Sequence, residues 1–310
     1  MNAILKTLNT YRTTLIAGLS PFVYLILVAI LSALLAYPLF LLSGSQDIGF
    51  YRSLVSRGGQ FIILLSFYPL LKWLGLSWSD FGLKRRFFGQ WLIGFLLGSA
   101  MLGLHMTALV MLDVRVMALG KFNPHDLMII LGKSLAIGFG VALLEESIFR
   151  GALLSIILRL SNPAMAIVVS AFYYALLHFI GSKWTTESGY IGWDTGFRIA
   201  LDGFAHLREV AVDSFLGLFV AGLLLGSLRV ILPMSLGLCM GIHAGWVFII
   251  KSAKSVSFPN FDSPLLYLVS HYDLIIGYLS AAWLSVFLIL MWAGVALYQK
   301  DLPSSRKKNS

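Results

Sequence analysis

Long apolar segments constrain the fold of this chain more than any other feature of its sequence. A helix needs about 20 mainly apolar residues to cross a bilayer, and the sequence offers about eight such segments. They lie at about 18–42, 60–76, 91–112, 127–160, 164–180, 215–228, 234–250 and 274–297. Because 58% of the side chains are hydrophobic and only 12% are charged, the chain has too little polar surface to coat a soluble globule. The sequence therefore predicts an all-α, polytopic integral membrane protein.

The basic residues indicate an orientation in the membrane. The formal net charge is +9, and Lys and Arg collect in short loops and tails, as expected when they hold those segments on the cytoplasmic side. The clusters at 84–86 and 306–308 both fall on that side if the two termini are cytoplasmic. The short loops favour a bacterial inner membrane, with the lipid bilayer as partner and no role for nucleic acid.

The order of segments predicts a single membrane domain over residues 1–310, since no internal repeat or soluble domain interrupts it. The run at 127–160 is too long for one perpendicular crossing, so we expect it to tilt, bend or protrude. Proline after Ser161 and Asn162 should end this run. Residues 181–213 mix charged and aromatic side chains, which predicts a loop at the membrane interface that includes an amphipathic helix.

Two carboxylates and one guanidinium stand out inside the fourth apolar segment. Glu145, Glu146 and Arg150 are the only charged residues between Leu135 and Leu158, and in a bilayer each unpaired charge costs at least roughly 2.5 to 3.5 kcal/mol. In an α-helix Glu146 and Arg150 share a face and can pair, while Glu145 points about 100° away. The spacing therefore predicts a structural Glu146 and a Glu145 available as a base. A polar patch that only holds helices together is the alternative.

Two histidines lie in other apolar segments. Glu145 is 17 residues before Asn162 and His178 is 16 residues after it, so an antiparallel helical hairpin would place both at a similar depth. His243 lies well inside the seventh segment. The sequence therefore predicts an intramembrane polar site at which Glu145, His178 and His243 meet.

Three short motifs around these residues resemble those of a known family. Residues 145–150 (EESIFR) fit the pattern EExxxR, residues 174–178 (YALLH) resemble FxxxH, and residues 243–247 (HAGWV) resemble HxxxN. In this order, the motifs resemble those of the CAAX protease and bacteriocin-processing family (CPBP, also called Abi) of intramembrane proteases. The resemblance covers about residues 130–250, which we expect to form the catalytic core.

The resemblance implies a hydrolase, an intramembrane endopeptidase that cuts membrane-associated proteins or peptides. Glu145 would activate a water molecule, His178 would help to hold that water, and His243 would stabilise the oxyanion that develops on the scissile carbonyl. Glu146 and Arg150 would support the site by ordering the helix.

The sequence departs from the family pattern at two positions. Tyr174 replaces the phenylalanine of FxxxH and keeps an aromatic ring. Val247 replaces the asparagine of HxxxN, and valine cannot donate a hydrogen bond. Another donor would then have to serve, and Trp246, Tyr173 and Tyr174 are the candidates.

Other functions and a metal cofactor remain open at this point. The loss of the asparagine at Val247 is also compatible with a catalytically impaired relative that acts as a membrane scaffold or immunity-type protein. Glu and His inside a membrane also occur in proton-coupled transporters. A divalent metal such as zinc would be held by Glu145, His178 and His243 with water as the fourth ligand. We expect no cofactor, because Glu145 as a ligand would no longer be free to act as the base.

Overall fold

A computed structural model describes residues 2–73, 75, 87–186 and 190–301. The basic clusters at 84–86 and 306–308, on which the predicted orientation depends, lie outside these ranges. Within them the chain is almost entirely helical, which confirms the predicted all-α class. Ten α-helices follow one another: α1 (Asn2–Ser43), α2 (Ile48–Trp73), α3 (Phe87–Met111), α4 (Pro124–Glu146), α5 (Leu154–Leu160), α6 (Pro163–Leu177), α7 (Thr195–Ala205), α8 (Val212–Ile231), α9 (Leu236–Val256) and α10 (Tyr278–Asp301).

Shorter elements connect these helices. A seven-residue π-helix, Ser147–Leu153, joins α4 to α5. Two three-residue strands, β1 (Arg115–Met117) and β2 (Ser257–Pro259), pair in antiparallel fashion, with Arg115 opposite Pro259. Single 3-10 turns lie at Leu119–Lys121, His206–Glu209 and Leu266–Leu268.

Six stretches of the described helices are long and apolar enough to cross a membrane. They are Gly18–Ser43, Phe87–Met111, Pro124–Leu160, Val212–Ile231, Leu236–Val256 and Tyr278–Lys300. The two remaining predicted segments are also helical, but α2 is not among the six and α6 has only 15 residues. The predicted number of about eight spans is therefore approximate. The six helices indicate an integral membrane protein.

The fourth of these stretches is unusually long, as the sequence predicts. It has 37 residues, about 55 Å of helix, against a hydrocarbon core of about 30 Å. The Pro163 break is also observed. Asn162 caps α6 by accepting a hydrogen bond from the Met165 N–H at 2.9 Å, and Pro163 occupies the first turn.

The chain divides into two compact units, and the first comprises Met1–Leu83 and Ser147–Val210. In this unit α1 packs against α2, α5 and α7. Tyr51 stacks on Phe40 in its core, with ring centroids 4.8 Å apart. Helix α7 lies within the loop predicted to be interfacial and buries Ile199 while exposing Leu201. The helix expected in this loop is thus present, and its position at a membrane surface stays a prediction.

The second unit comprises Lys84–Glu146 and Ala211–Ser310, and α9 is its central helix. Glycines allow α3 and α9 to approach closely. A Cβ atom on Gly241 would lie 2.1 Å from the Trp91 carbonyl oxygen, and one on Gly98 would lie 2.1 Å from the Ile242 carbonyl oxygen. Lipid tails are as apolar as Leu side chains, so apolar side chains alone do not drive helices together in a bilayer. Helices there usually pack through small residues, which let the two backbones approach closely. The backbone of α9 is therefore fixed in the region of His243.

Helix α4 reaches α9 in the same manner. A Cβ atom on Gly138 would lie 2.7 Å from the backbone oxygen of Ala244, so no larger residue fits without moving one helix. Gly138 precedes Glu145 by about two helical turns. This contact therefore sets the distance between the helix with the two glutamates and the helix with His243.

We expect Gly138→Ala to destabilise the protein by about 1 to 3 kcal/mol, because the added methyl group overpacks a helix contact. The matched control is Gly132→Ala on the same helix, where a Cβ atom would meet nothing within 4 Å. Its effect should stay within about 0.5 kcal/mol. Thermal unfolding of the purified proteins in detergent measures both, and equal losses would contradict this account of the helix contact.

Candidate active site

The two glutamates stand at the point where the fourth apolar stretch changes its helical geometry. Helix α4 ends at Glu146, and the π-helix begins at Ser147. π-Helical turns are rare in proteins, and many of those that occur lie at functional sites. The argument that Glu146 and Arg150 share a face assumes regular α-helical spacing, which does not hold here. The predicted pairing of these two residues stays a prediction.

Glu146 has a partner that the sequence does not reveal. Its side chain is fully buried, and Oε1 lies 2.8 Å from Nδ1 of His243, 97 residues away along the chain. A carboxylate oxygen accepts, so Nδ1 of His243 carries the proton of this hydrogen bond. The bond fixes the ring orientation and leaves Nε2 as the atom that faces the rest of the site.

Glu145 lies on the other side of the same imidazole. Its Oε2 is 3.8 Å from Nε2 of His243, which is beyond direct hydrogen-bonding distance. The Glu145 side chain is 23% exposed, whereas His243 and Glu146 are buried. Of the two glutamate side chains, Glu145 is therefore the more exposed, although its Oε2, which faces His243, is buried.

Of the three candidates to replace the missing asparagine donor, Trp246 has the most suitable surroundings. Its side chain is buried, and its ring centroid is 6.4 Å from that of His243. Among the residues that the structure describes, none accepts a hydrogen bond from its indole Nε1. A buried N–H of this kind is unusual and calls for an explanation. Tyr173, in contrast, donates its hydroxyl to the Gly18 carbonyl at 2.6 Å.

The first unit contains the other predicted site residues. Nδ1 of His178 lies 2.7 Å from the Tyr174 carbonyl oxygen, so Nδ1 donates and Nε2 of the neutral ring is an acceptor. The buried guanidinium of Arg150 lies over the Tyr174 ring, 4.4 Å from its centroid. Such a cation–π contact is stronger where water is excluded. Tyr174 thus keeps the aromatic ring of the motif, and this ring contacts Arg150.

The structure therefore brings together Glu145, Glu146, His243 and Trp246 in one unit, and Arg150, Tyr174 and His178 in the other. That His178 joins Glu145 in a single site stays a prediction. Within the described ranges, no group of three or more His, Cys, Asp or Glu side chains has an arrangement suited to a metal ion.

Comparison with protein families identifies the region that contains these residues. Residues 128–249 match the family model described as type II CAAX prenyl endopeptidase, Rce1-like. This stretch is similar to Rce1-like domains. Its bounds lie close to the region of the expected resemblance, about 130–250, and the match confirms the resemblance that the three motifs indicate. Comparison with curated proteins and with solved structures found no match.

The matched stretch includes every predicted site residue, and the family that it resembles is generally one of peptidases. A further residue near Glu145 lies beyond its end. Tyr272 is in the loop before α10, where close packing around its side chain, and then the carboxylates of Asp273 and Glu145, raise its pKa. Nearly half of the residue is nevertheless exposed, at 47%. No motif marks Tyr272, because its proximity to Glu145 arises only from the tertiary fold.

Proposed function

We propose that the chain is an intramembrane endopeptidase in which Glu145 activates a water molecule to cut a membrane-associated protein or peptide. The observation that supports this most is the position of Glu145 and Glu146 on the two nitrogens of His243. The Rce1-like domain match supports the reaction class. In this proposal the protein resides in the bilayer of a bacterial inner membrane with both termini in the cytoplasm.

Glu145 acts first as a general base and then as a general acid. Its carboxylate takes a proton from water while the water oxygen attacks the scissile carbonyl carbon. When the tetrahedral intermediate collapses and the C–N bond breaks, the same carboxyl group returns the proton to the leaving amine. Proton transfer by a positioned group contributes roughly 10²- to 10⁴-fold in rate. The Glu145 side chain is partly exposed, and the step requires a water molecule beside its carboxylate.

Glu146 and His243 act on the oxygen of the scissile carbonyl. The hydrogen bond from Nδ1 of His243 to Glu146 holds the ring and favours the state in which protonated Nε2 donates toward the developing oxyanion. Preorganised donors of this kind stabilise the transition state because they need no rearrangement when charge appears. Glu146 is thus a positioning residue for His243.

Trp246 supplies the second donor in place of the asparagine that Val247 replaces. An indole N–H can only donate, and burial beside His243 without a described acceptor leaves it available for a substrate oxygen. The family resemblance assigns His178 to holding the attacking water. The bond from Nδ1 to the Tyr174 carbonyl fixes the orientation of the ring, which suits that role.

We favour a mechanism without a metal ion. In the proposed reaction Glu146 accepts the hydrogen bond of His243, and Glu145 is the base. If Glu145 were instead a ligand, the proposed reaction would lose its base. Treatment with a chelator should therefore leave cleavage unchanged.

A second candidate function follows from Val247. If no donor replaces the asparagine, the chain is a catalytically impaired relative that serves as a membrane scaffold or immunity-type protein. A cellular function that survives Glu145→Ala combined with His178→Ala would support this alternative.

We expect Glu145→Ala and Glu145→Gln to reduce cleavage by about 10²- to 10⁴-fold, because neither side chain can accept the proton of water. The assay reconstitutes the full chain in liposomes with extracted membrane proteins and counts new termini by mass spectrometry. Glu209→Gln, which changes an exposed carboxylate, is the control and should retain full activity. Undiminished cleavage by the Glu145 variants would refute the mechanism.

With a peptide identified in that assay, Trp246→Phe should lower kcat by about 10²- to 10³-fold, as expected when one oxyanion donor is lost. KM should change little, because the ring is retained and the donor acts in the transition state. Trp292→Phe is the control, since that indole already donates to Ser227 at 3.2 Å. An unchanged kcat for Trp246→Phe would assign the donor role elsewhere.

A further inference from the structure

Strands β1 and β2 form a two-stranded ribbon in the second unit, where β1 follows α3 and β2 follows α9. Such a ribbon has two outer edges, at which backbone N–H and carbonyl groups point away from the partner strand. An outer edge is a template for pairing with another extended chain, and proteins usually block edges that have no partner. The two edges of this ribbon differ in that respect.

The hydrogen bonds of the ribbon show which backbone groups point outward. Ala118 donates to the Val256 carbonyl at 2.8 Å, and Asn260 donates to the Val114 carbonyl at 2.9 Å. Backbone groups alternate in direction along a strand, so the even-numbered residues of β1 and its flanks bond toward β2. The N–H and carbonyl groups of the first and last residues of β1 therefore point to its outer edge.

The outer edge of β2 is blocked. Pro259 has no N–H to donate. The Ser257 N–H donates to the Ala253 carbonyl at the end of α9, and the Ser257 carbonyl accepts a hydrogen bond from the Arg115 guanidinium at 2.9 Å. Proline on an edge strand is a usual means of preventing further pairing.

The outer edge of β1, in contrast, is open. Among the residues that the structure describes, none forms a hydrogen bond with the outward backbone groups of Arg115 and Met117. Apart from β2, the described element that β1 chiefly contacts is α3, which precedes it in the chain. Met117 is 41% exposed, so β1 lies at the surface of this unit. We call this side of β1 the open edge.

Side-chain hydrogen bonds hold β1 in place. The Arg115 guanidinium donates to the Ser257 hydroxyl at 3.0 Å and to the Leu274 carbonyl at 2.9 Å. Just before the strand, Nδ2 of Asn260 donates to the Asp113 carbonyl at 3.1 Å. An edge that is already fixed loses little conformational freedom when another strand binds to it.

An apolar pair beside the open edge would discriminate among binding segments. Val116 and Phe258 lie opposite each other, and both are exposed, at 37% and 46%. A strand on the open edge would bond to the residues on either side of Val116. Its middle residue would then face Val116 in a non-hydrogen-bonded pair, in which side chains approach closely. The open edge therefore favours an extended segment with an apolar middle residue.

The ribbon lies within reach of a polypeptide that extends from the catalytic group. Val256, the last residue of α9, is 13 residues after His243, which is about 20 Å along the helix. An extended polypeptide covers about 3.3 Å per residue. About six residues would therefore connect the level of His243 with the ribbon.

We propose that the open edge of β1 binds an extended segment of the substrate polypeptide as a third strand. The inference rests on the proposed function and adds a substrate class, namely polypeptides with an extended segment about six residues from the scissile bond. Another extended backbone is what matches the donors and acceptors of the edge. A second copy of this chain would offer one too, but two three-residue edges bury far less than the about 1,200 Å² of a stable interface.

Binding to the full-length Glu145→Ala protein in detergent tests this proposal without cleavage. The probes are two dansyl-labelled peptides of the sequence Thr-Val-Thr-Val-Thr-Val-Thr, both with an amidated carboxyl terminus. In the first peptide the valine nitrogens are methylated, so that one edge can still pair. In the second peptide every backbone nitrogen is methylated. The first should bind about 5- to 100-fold more tightly, as expected for two or more backbone hydrogen bonds.

Met117→Pro is the decisive variant, because it removes one N–H of the open edge at a position where an edge strand tolerates proline. It should weaken the first peptide by about 5- to 10-fold and leave the second unchanged. Met117→Leu keeps the N–H and is the matched control, which should change nothing. Val116→Ala should fold even if Met117→Pro does not, and it should weaken the first peptide by about 2- to 5-fold.

Equal affinity for the two peptides, or an advantage of the first that Met117→Pro and Val116→Ala both leave intact, would overturn the proposal. So would a wild-type dimer that Met117→Pro converts to a monomer in sedimentation experiments, because the edge would then pair with a second copy. The binding protein lacks Glu145, so its result does not depend on catalysis. Wild-type protein that binds the first peptide as expected but cleaves no membrane protein would refute the proposed function alone.

Discussion

The arrangement of the second unit depends on the hydrogen bond between Glu146 and His243. Both side chains are buried, and burying a charge is costly unless it is paired and hydrogen-bonded. The two residues are on different helices, so α4 and α9 must lie close together for the bond to form. Gly138 facing Ala244 makes this possible, and Gly241 fits α9 against α3 from another side. The glycines of these helices thus allow the close helix contacts that the polar site requires.

This bond also separates the functions of two adjacent carboxylates. Glu146 is fully buried and holds one nitrogen of His243, while Glu145 is partly exposed and faces the other. Neighbouring residues on a helix point in different directions, so one imidazole can lie between them only because it comes from another helix. The result is one fully buried carboxylate that bonds to Nδ1 and one partly exposed glutamate whose Oε2 lies 3.8 Å from Nε2. The proposed donor role of Trp246 is based on its burial next to the same ring.

Local sequence patterns predict much of the fold and the members of the candidate site. Apolar segments predicted the helices, Pro163 marked the start of α6, and the three motifs lie in the stretch that matches the Rce1-like family model. The pairing of Glu146 with His243 could not be predicted, because helical periodicity relates residues only within one element. The π-helix at Ser147–Leu153 likewise has no evident signal in this sequence. Arg115 reads as an ordinary loop cation until the ribbon and Leu274 enclose it.

The most direct test of the central claim is an experimental structure of the wild-type protein in a lipid nanodisc, at a resolution that shows ordered water. The account predicts a water molecule within about 3.2 Å of the Glu145 carboxylate, on the side that faces Nε2 of His243, with the Glu146 hydrogen bond intact. A metal ion bound by Glu145, or an apolar side chain packed against its carboxylate so that water is excluded, would contradict it.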